Sequence, residues 1–323
     1  MRIGSNFAYP PSVGIGKLRY NAALLGANIL FGANFPFYVS LTTYFLSFKQ
    51  IFMLQTLTAA AFFIPFAIFS KRSYRITVED FGSIFIVALL VIYGWLYLLL
   101  WGASTTNPVD AATISTLGPL FTLITAHIVS PQRVSWVRKV GGIIALLGAT
   151  LLLADQGRGL IDNSLEGFGN ALVLCAVVAI AVNTVLIKPQ LERYGELTVM
   201  GWYYIIGFAM VAPFFWEELV GLNPLRLPLF ALAELLYILL LGTVLPMWLL
   251  YIGAANLTAI HTAVYRYVQP VVAAILSFMH GQNNIDRTNI VGAVAIFIGI
   301  ILVVSGGVRS SKDGAAAQPP TRE

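Results

Sequence analysis

Charged and metal-binding side chains are scarce in this chain. Only 10% of its 323 residues are charged, and it has one cysteine and three histidines. The single cysteine, Cys175, excludes an intramolecular disulfide. The histidines, His127, His261 and His280, fall in different segments, and no His-x-x-His, Cys-x-x-Cys or phosphate-binding glycine loop is present. The sequence therefore predicts no metal site, no cofactor, no enzymatic activity and no ATP-driven transport within the chain.

Hydrophobic residues are abundant instead. They make up 58% of the chain, and the mean hydropathy is +0.82, outside the range of soluble domains. The apolar runs have the length of helices rather than of the short alternating strands of a membrane barrel. We predict an all-α integral membrane protein. The net charge of +5 comes mainly from basic residues in short loops, so it indicates topology in a lipid bilayer rather than a nucleic-acid partner.

Ten apolar segments are long enough to cross a bilayer, which takes about 20 helical residues. They are residues 20–41, 50–69, 81–102, 108–129, 137–154, 167–187, 197–216, 228–252, 257–279 and 289–306. Residues 1–19 and 307–323 are polar and are predicted to be cytoplasmic tails, the second of them disordered, and residues 155–166 are predicted to be an outer linker.

The lysines and arginines predict the orientation. Of the 19, 14 lie in segments on the side of the N-terminus, four lie on the opposite side, and Arg266 lies inside a span. Short loops rich in lysine and arginine face the cytoplasm. Both termini are therefore predicted to be cytoplasmic, in a plasma (inner) membrane.

The chain contains an internal repeat. An offset of 151 residues relates the third to fifth segments to the eighth to tenth. An offset of 149 residues relates the first segment to the sixth. The matched pairs are Gly102 and Gly253, Pro119 and Pro270, Gly141 and Gly292, Gly148 and Gly299, Asn21 and Asn170, and Asn34 and Asn183. Because each half has an odd number of spans, the second half must enter the membrane from the opposite side. Such inverted repeats are characteristic of secondary transporters.

Both halves have a Gly-Ala helix end that leads into a proline-centred fourth helix, followed by a fifth helix with glycines seven residues apart. This pattern resembles the tandem EamA-type repeats of the drug/metabolite transporter superfamily, with one repeat over residues 20–154 and the other over 167–306. The resemblance implies a permease in which helices one to four and six to nine surround a central cavity, while five and ten pack outside it. The Gly-Glu often found near the end of the fourth helix is missing, since the matching regions read HIVSPQ and MHGQ.

A polar stripe on the ninth segment is the main candidate site. Its members recur at helical spacing on one face and include a charged residue near mid-membrane, where charge usually marks function. The candidate substrate-binding residues of the stripe are Arg266, His261, Tyr265, Gln269 and Thr262, which Thr258 precedes on the same face. Two readings of Arg266 remain: contact with an anionic group of the substrate, or a structural role against backbone carbonyls and a neighbouring helix.

Other polar and aromatic residues lie at membrane depth. Tyr93 and Tyr97 either line the cavity or belong to an interfacial belt. The uncharged polar residues within the spans either contact the solute or hydrogen-bond one helix to another; they are Asn28, Asn34, Gln55 and Asn183. Glu234 is a weaker candidate for a counter-ion to Arg266. Asp110 fits the cap of a helix that begins Asn-Pro, rather than a proton carrier.

Prolines and glycines have structural roles in this prediction. Pro119 and Pro270 are expected to kink their helices or to shape the packing. The glycines of the fifth and tenth segments, Gly141, Gly148, Gly292 and Gly299, form small-residue faces for close helix packing within the chain or between the protomers of a homodimer.

The sequence thus predicts a permease that moves a small polar or amphipathic metabolite, anionic solutes among the candidates, by alternating access. An exporter of hydrophobic drugs or amino acids, with the aromatics as its site and Arg266 structural, is the alternative. A receptor or structural subunit without flux is a second. Coupling to protons through His261, Glu234 or Asp110, uniport and exchange all remain open.

Overall fold

The computed structural model describes residues 15–69, 76–106, 111, 114–115, 117–129, 135–154, 165–222, 227–279 and 287–305. Within these ranges the chain forms helices and no strand. Outside the described residues lie residues 1–14 of the first predicted tail, the whole second tail, residues 155–164 of the predicted linker, Asp110 and His280. Residues 15–19 and 165–166, predicted to be tail and linker, belong to α1 and α6.

The long helices follow the apolar segments. They are α1 (Ile15–Tyr44), α2 (Phe48–Phe69), α3 (Val78–Ala103), α4 (Gly118–Val129), α5 (Trp136–Ala154), α6 (Leu165–Leu186), α7 (Glu196–Val220), α8 (Leu229–Asn256), α9 and α10 (Arg287–Ser305). The helix α9 consists of Ala259–Val264, a 3₁₀ turn at Tyr265–Tyr267, and Val268–Met279. A connecting helix, Lys188–Tyr194, joins α6 to α7.

Five of the described helices are long and apolar enough to cross a membrane by length and composition. These are α1 over Leu18–Tyr44, α3, α6, α7 and α8. Shorter apolar stretches lie in α4, in α5 over Lys139–Gly148 and in α10 over Ile290–Gly299. The all-helical fold is therefore confirmed for the described residues, whereas the count of ten spans stays a prediction.

Local sequence sets several helix boundaries. The Thr258 hydroxyl accepts a hydrogen bond from the His261 N–H at 3.1 Å and caps the start of α9. Glu79 and Asp80 occupy the first turn of α3, where the helix dipole favours acidic side chains. Gly195, with φ 79°, separates the connecting helix from α7, since this backbone conformation is strained for other residues.

Irregular turns interrupt three of the cavity-forming helices. The middles of α3 and α8 are π-helical over Leu90–Tyr97 and Tyr237–Val244. The 3₁₀ turn of α9 ends three residues before Pro270, whose missing N–H leaves the carbonyl of Arg266 without its usual partner. Because such turns often lie at functional sites, their position in corresponding helices of both halves directs attention to the space between them.

The helices of the two halves make equivalent packing contacts. Helix α1 packs on α8 and α9 as α6 packs on α3 and α4, while α2 pairs with α7, α4 with α9, and α5 with α10. Glycines give the same close contacts in both halves. A Cβ on Gly253 would lie 2.3 Å from Leu24 Cδ2, and one on Gly102 would lie 2.6 Å from Val173 Cγ2. Leu24 and Val173 are themselves related by the 149-residue offset.

Helices α5 and α10 pack mainly against each other. Gly141, Gly148, Gly292 and Gly299 are buried, and a Cβ on Gly299 would lie 2.5 Å from the Gly141 carbonyl oxygen. This close approach leaves the other helices to form the central bundle.

The connecting helix ties the two halves together at one end of the bundle. The Asp80 carboxylate of α3 accepts a hydrogen bond from the Tyr194 hydroxyl at 2.5 Å and pairs with Arg193. Lys188 Nζ donates to the carbonyl of Ala254, at the C-terminal end of α8, at 3.1 Å. Burial lowers the pKa of Lys188, and the neighbouring Glu192 opposes that shift.

Candidate functional site

A central cavity lies between the two halves. Its polar and aromatic lining residues are Asn28, Phe31, Asn34, Phe35, Tyr38, Gln55, Trp95, Ser115, Tyr204, Thr243, Arg266 and Gln269. They come from α1, α2, α3, α7, α8 and α9 and from the residues just before α4, and Val177 and Ile180 of α6 complete the wall. None of the described residues of α5 or α10 lines it.

Arg266 provides the positive charge of this cavity. Its guanidinium Nη2 lies 3.5 Å from the Thr184 hydroxyl, a long contact, and its Nε is buried and finds no hydrogen-bond partner among the described residues. No carboxylate among the described residues forms an ion pair with it, Glu234 included. A Cβ on Gly118 would lie 3.3 Å from Arg266 Cδ, so the side chain rests against the start of α4, beside Pro119.

Asn28 and Gln269 join α1 to α9 at the cavity wall. Gln269 Nε2 donates to Asn28 Oδ1 at 2.8 Å, and Asn28 Nδ2 donates to the Leu24 carbonyl at 2.7 Å. Both amides therefore stabilise the helix contact as well as lining the cavity.

Two amide oxygens in the lining have no hydrogen-bond partner within the described part of the chain. Asn34 Nδ2 donates to the carbonyl of Gly242 in the π-helical part of α8 at 2.8 Å, which leaves Oδ1 unpaired. Gln55 Nε2 donates to the hydroxyls of Tyr38 and Thr243, at 2.8 and 2.5 Å, which leaves its Oε1 unpaired. Because the Thr243 hydroxyl already donates to the Ile238 carbonyl, it must accept from Gln55. Both free oxygens are therefore acceptors for a donor group.

The remaining residues of the α9 stripe contact other parts of the bundle. His261 Nε2 and the Tyr265 hydroxyl each lie 2.9 Å from Asn21 Oδ1 on α1. Thr262 lines a second, smaller cavity. Of the stripe residues, only Arg266 and Gln269 therefore line the central cavity.

Tyr93 and Tyr97 lie outside the lining of the central cavity. The Tyr93 hydroxyl donates to the Met210 carbonyl of α7 at 3.0 Å. The Tyr97 ring packs against Phe52 and Phe215, with centroids 5.2 and 5.6 Å away. These aromatic residues of α3 pack against α2 and α7, which does not favour an aromatic drug site at this face.

Sequence reasoning missed several lining residues. Trp95, Tyr204 and Thr243 stand in largely apolar runs, and Ser115 lies among threonines near the start of its segment, so none was distinguished by a polar stripe. Gln55 could be recognised in the sequence as a polar residue within a membrane span. Whether it lines the cavity or only contacts another helix depends on its neighbours in space.

Comparison with known proteins identifies the repeats. The model of the EamA-like transporter family matches residues 18–154 and 167–305, one match in each half. A solved crystal structure superposes with a TM-score of 0.68 at 16% identity, over 87% of this chain and 95% of the other, a likeness of fold.

Several curated relatives are similar over most of their length. The uncharacterized transporter YetK of Bacillus subtilis (strain 168) is 22% identical over 74% of this chain and 70% of its own. YyaM, an uncharacterized transporter of the same organism, is 25% identical over 71% and 75%, and Protein PecM of Dickeya dadantii (strain 3937) is 24% identical over 68% and 72%. With both halves matched, this multi-pass membrane transporter belongs to the EamA-like transporter family.

Proposed function

We propose that this transporter is a secondary permease that carries a small metabolite with a carboxylate or phosphate group, by alternating access of the central cavity to the two sides of the membrane. The observation that supports it most is Arg266 at the cavity wall without an ion pair among the described residues. An unneutralised arginine in a membrane span costs about 3 kcal/mol or more. A bound anion offsets that cost while it is present, and the planar guanidinium holds two of its oxygens at once.

The rest of the lining favours a solute that also carries hydrogen-bond donors. Asn34 Oδ1 and Gln55 Oε1 are unpaired acceptors, and each unmet acceptor in a buried site costs free energy until a donor reaches it. An N–H or O–H group on the solute would supply that donor. Zwitterionic metabolites and hydroxylated acids both have this combination of groups.

Alternating access is supported by the equivalence of the two halves. Transporters built from inverted repeats move largely by rocking one repeat against the other around a site at their interface. Helices α1 to α4 and helices α6 to α9 pack in equivalent ways and form two such units, with the cavity between them.

Flux measurements in proteoliposomes test this function. Purified protein is supplied with radiolabelled anionic, zwitterionic and cationic metabolites, and we expect flux of a carboxylate- or phosphate-bearing solute. Arg266→Gln should abolish that flux while the protein still inserts and folds. Arg19→Gln, which changes an exposed arginine near the start of α1, is the matched control and should transport normally.

Two results would contradict the proposal. Normal transport by Arg266→Gln would assign the arginine a structural role. Absence of flux for every anionic and zwitterionic solute, by well-folded protein, would favour a hydrophobic substrate or a protein without flux.

A further inference from the structure

A second, much smaller cavity adjoins the central one. Ile180 of α6 and Leu250 of α8 line both cavities, so the two spaces meet at this pair of aliphatic side chains. Beyond the pair, the second cavity extends towards the C-terminal ends of α6 and α8, where Ile187 and Ala254 line it. Under the predicted orientation, that end faces the cytoplasm.

Two hydroxyl groups in the second cavity have no hydrogen-bond partner of acceptable geometry in the ranges that the structure describes. They belong to Tyr251, which is 3% exposed, and Thr262, which is 1% exposed. The ring of Tyr203 packs edge-on against Tyr251 at 5.9 Å, and its own hydroxyl is also unpaired. Buried hydroxyls are nearly always hydrogen-bonded in folded proteins, so these two hydroxyls at the cavity are available to donate to a group that enters it.

Arg266 lies between the two cavities. Its side chain lines the central cavity, and its Nη2 contacts the hydroxyl of Thr184, which lines the second. The Thr184 hydroxyl itself donates to the Ile180 carbonyl at 2.6 Å, so it can accept from the guanidinium. One cation therefore faces both spaces.

We propose that the second cavity is a second binding position for the anionic group of the transported solute, reached when Ile180 and Leu250 separate. Carboxylate or phosphate oxygens accept hydrogen bonds from the hydroxyls of Tyr251 and Thr262 there, while Arg266 supplies the positive charge at both positions. This inference rests on the proposed function and adds the route by which the anion leaves the central cavity.

Thiol labelling tests the cavity without a known substrate. In a Cys175→Ser background, Thr262→Cys is treated with an anionic sulfonate-bearing methanethiosulfonate and with a cationic trimethylammonium one, from either face of sealed vesicles. We expect modification from one face, several-fold faster with the anionic reagent, and loss of that preference on adding Arg266→Gln. The control is Thr56→Cys, because Thr56 is fully buried, lines neither cavity and donates to its own helix.

The labelling result can overturn the inference on its own. If Thr262→Cys is as unreactive as Thr56→Cys, or reacts equally with both reagents, the second cavity is a packing defect rather than an anion position. Either result would leave the role of Arg266 in the central cavity intact.

Removing the hydroxyls gives an independent measurement. Because these groups are unpaired, Tyr251→Phe and Thr262→Val should keep or raise thermal stability, whereas transport of the anion found in the flux panel should fall several-fold. Tyr267→Phe changes another buried tyrosine of α9 that lines neither cavity, and it should transport normally. Unchanged transport by both Tyr251→Phe and Thr262→Val would overturn the proposal of a second binding position. Anion flux by the wild-type protein in the same assay shows that the proposed function itself has not failed.

Discussion

Arg266 and Ser115 occupy equivalent positions in the two halves, since the 151-residue offset relates them, and both line the central cavity. The walls of the cavity are thus built alike, but only one of the two positions carries a charge. The side chain at this pair of positions should therefore set which solutes bind.

Arg266→Lys should transport at a much reduced rate, between wild type and Arg266→Gln. Lysine retains the charge, but its ammonium cannot form the paired, planar hydrogen bonds of a guanidinium with an oxyanion. Initial rates in proteoliposomes, normalised to inserted protein, give the measurement. A lysine variant as active as wild type would show that a point charge suffices.

Gly242→Ala should destabilise the bundle by about 1–3 kcal/mol, the usual cost of overpacking. A Cβ at this position would lie 2.0 Å from Asn34 Oδ1, and the amide that would have to move holds the Gly242 carbonyl through a hydrogen bond. Thermal unfolding in detergent measures the change. Gly82→Ala is the matched control, because a Cβ at Gly82 meets nothing within 4 Å, and it should leave stability unchanged or raise it. Equal stabilities of the two variants would contradict the packing argument.

At the scale of single residues, sequence predicted which groups are polar at depth but not where each one points. Tyr265 and Arg266 are neighbours in the stripe, yet one contacts Asn21 of α1 and the other faces the cavity. A step of one residue turns a helix by about 100°, and the partner helix that meets each direction is decided by packing far away in sequence.

At the scale of helices, the π-helical stretches of α3 and α8 hold the cavity-facing residues in register. A π-helical turn accommodates an extra residue within an otherwise regular helix. Hydrophobic periodicity predicted the helices but not these turns, because the flanking residues of α3 and α8 are apolar on every side.

Deletion of Leu241 should be tolerated for folding and should impair transport. It removes an exposed leucine from the π-helical part of α8 and allows a regular α-helix there, with both flanks in nearly their present orientation. The Gly242 carbonyl and Thr243 would then shift away from Asn34 and Gln55. Size-exclusion profiles and thermal unfolding monitor folding, and vesicle flux monitors activity.

The control deletes Leu249 in the α-helical part of α8. That deletion turns the end of the helix by about 100° and separates Gly253 from Leu24, so the protein should fail to fold. If the two deletions behave alike, the π-helical stretch has no special tolerance.

At the scale of the whole molecule, residues paired by the repeat offset make similar contacts in the two halves. Asn34 donates to the Gly242 carbonyl of α8 and Asn183, at 3.2 Å, to the Val87 carbonyl of α3, about one turn from Val91, the residue that the offset pairs with Gly242. Small residues and buried amides can be recognised in the sequence because few other residues fit the contacts that they make. The cavity between the halves, made largely of apolar side chains, has no comparable signature.

Topology is tested by cysteine labelling in the Cys175→Ser background. Tyr44→Cys, at the exposed end of α1, should react with a membrane-impermeant maleimide from outside intact cells, and Arg193→Cys on the connecting helix should react only from the cytoplasmic side. These outcomes follow from the distribution of lysine and arginine among the loops. Cytoplasmic labelling at Tyr44 would reverse the predicted orientation of the whole chain.

The charge of Arg266, which has no ion pair among the described residues, has an electrical consequence for the proposed cycle. When the empty transporter reorients, the cavity wall carries this positive charge through part of the membrane field, and one elementary charge moved across the whole field is worth about 2.3 kcal/mol per 100 mV. A bound monoanion cancels the charge, so the loaded transporter reorients without sensing the voltage. Membrane potential would therefore act on the return of the empty transporter and leave the step that moves the solute unaffected.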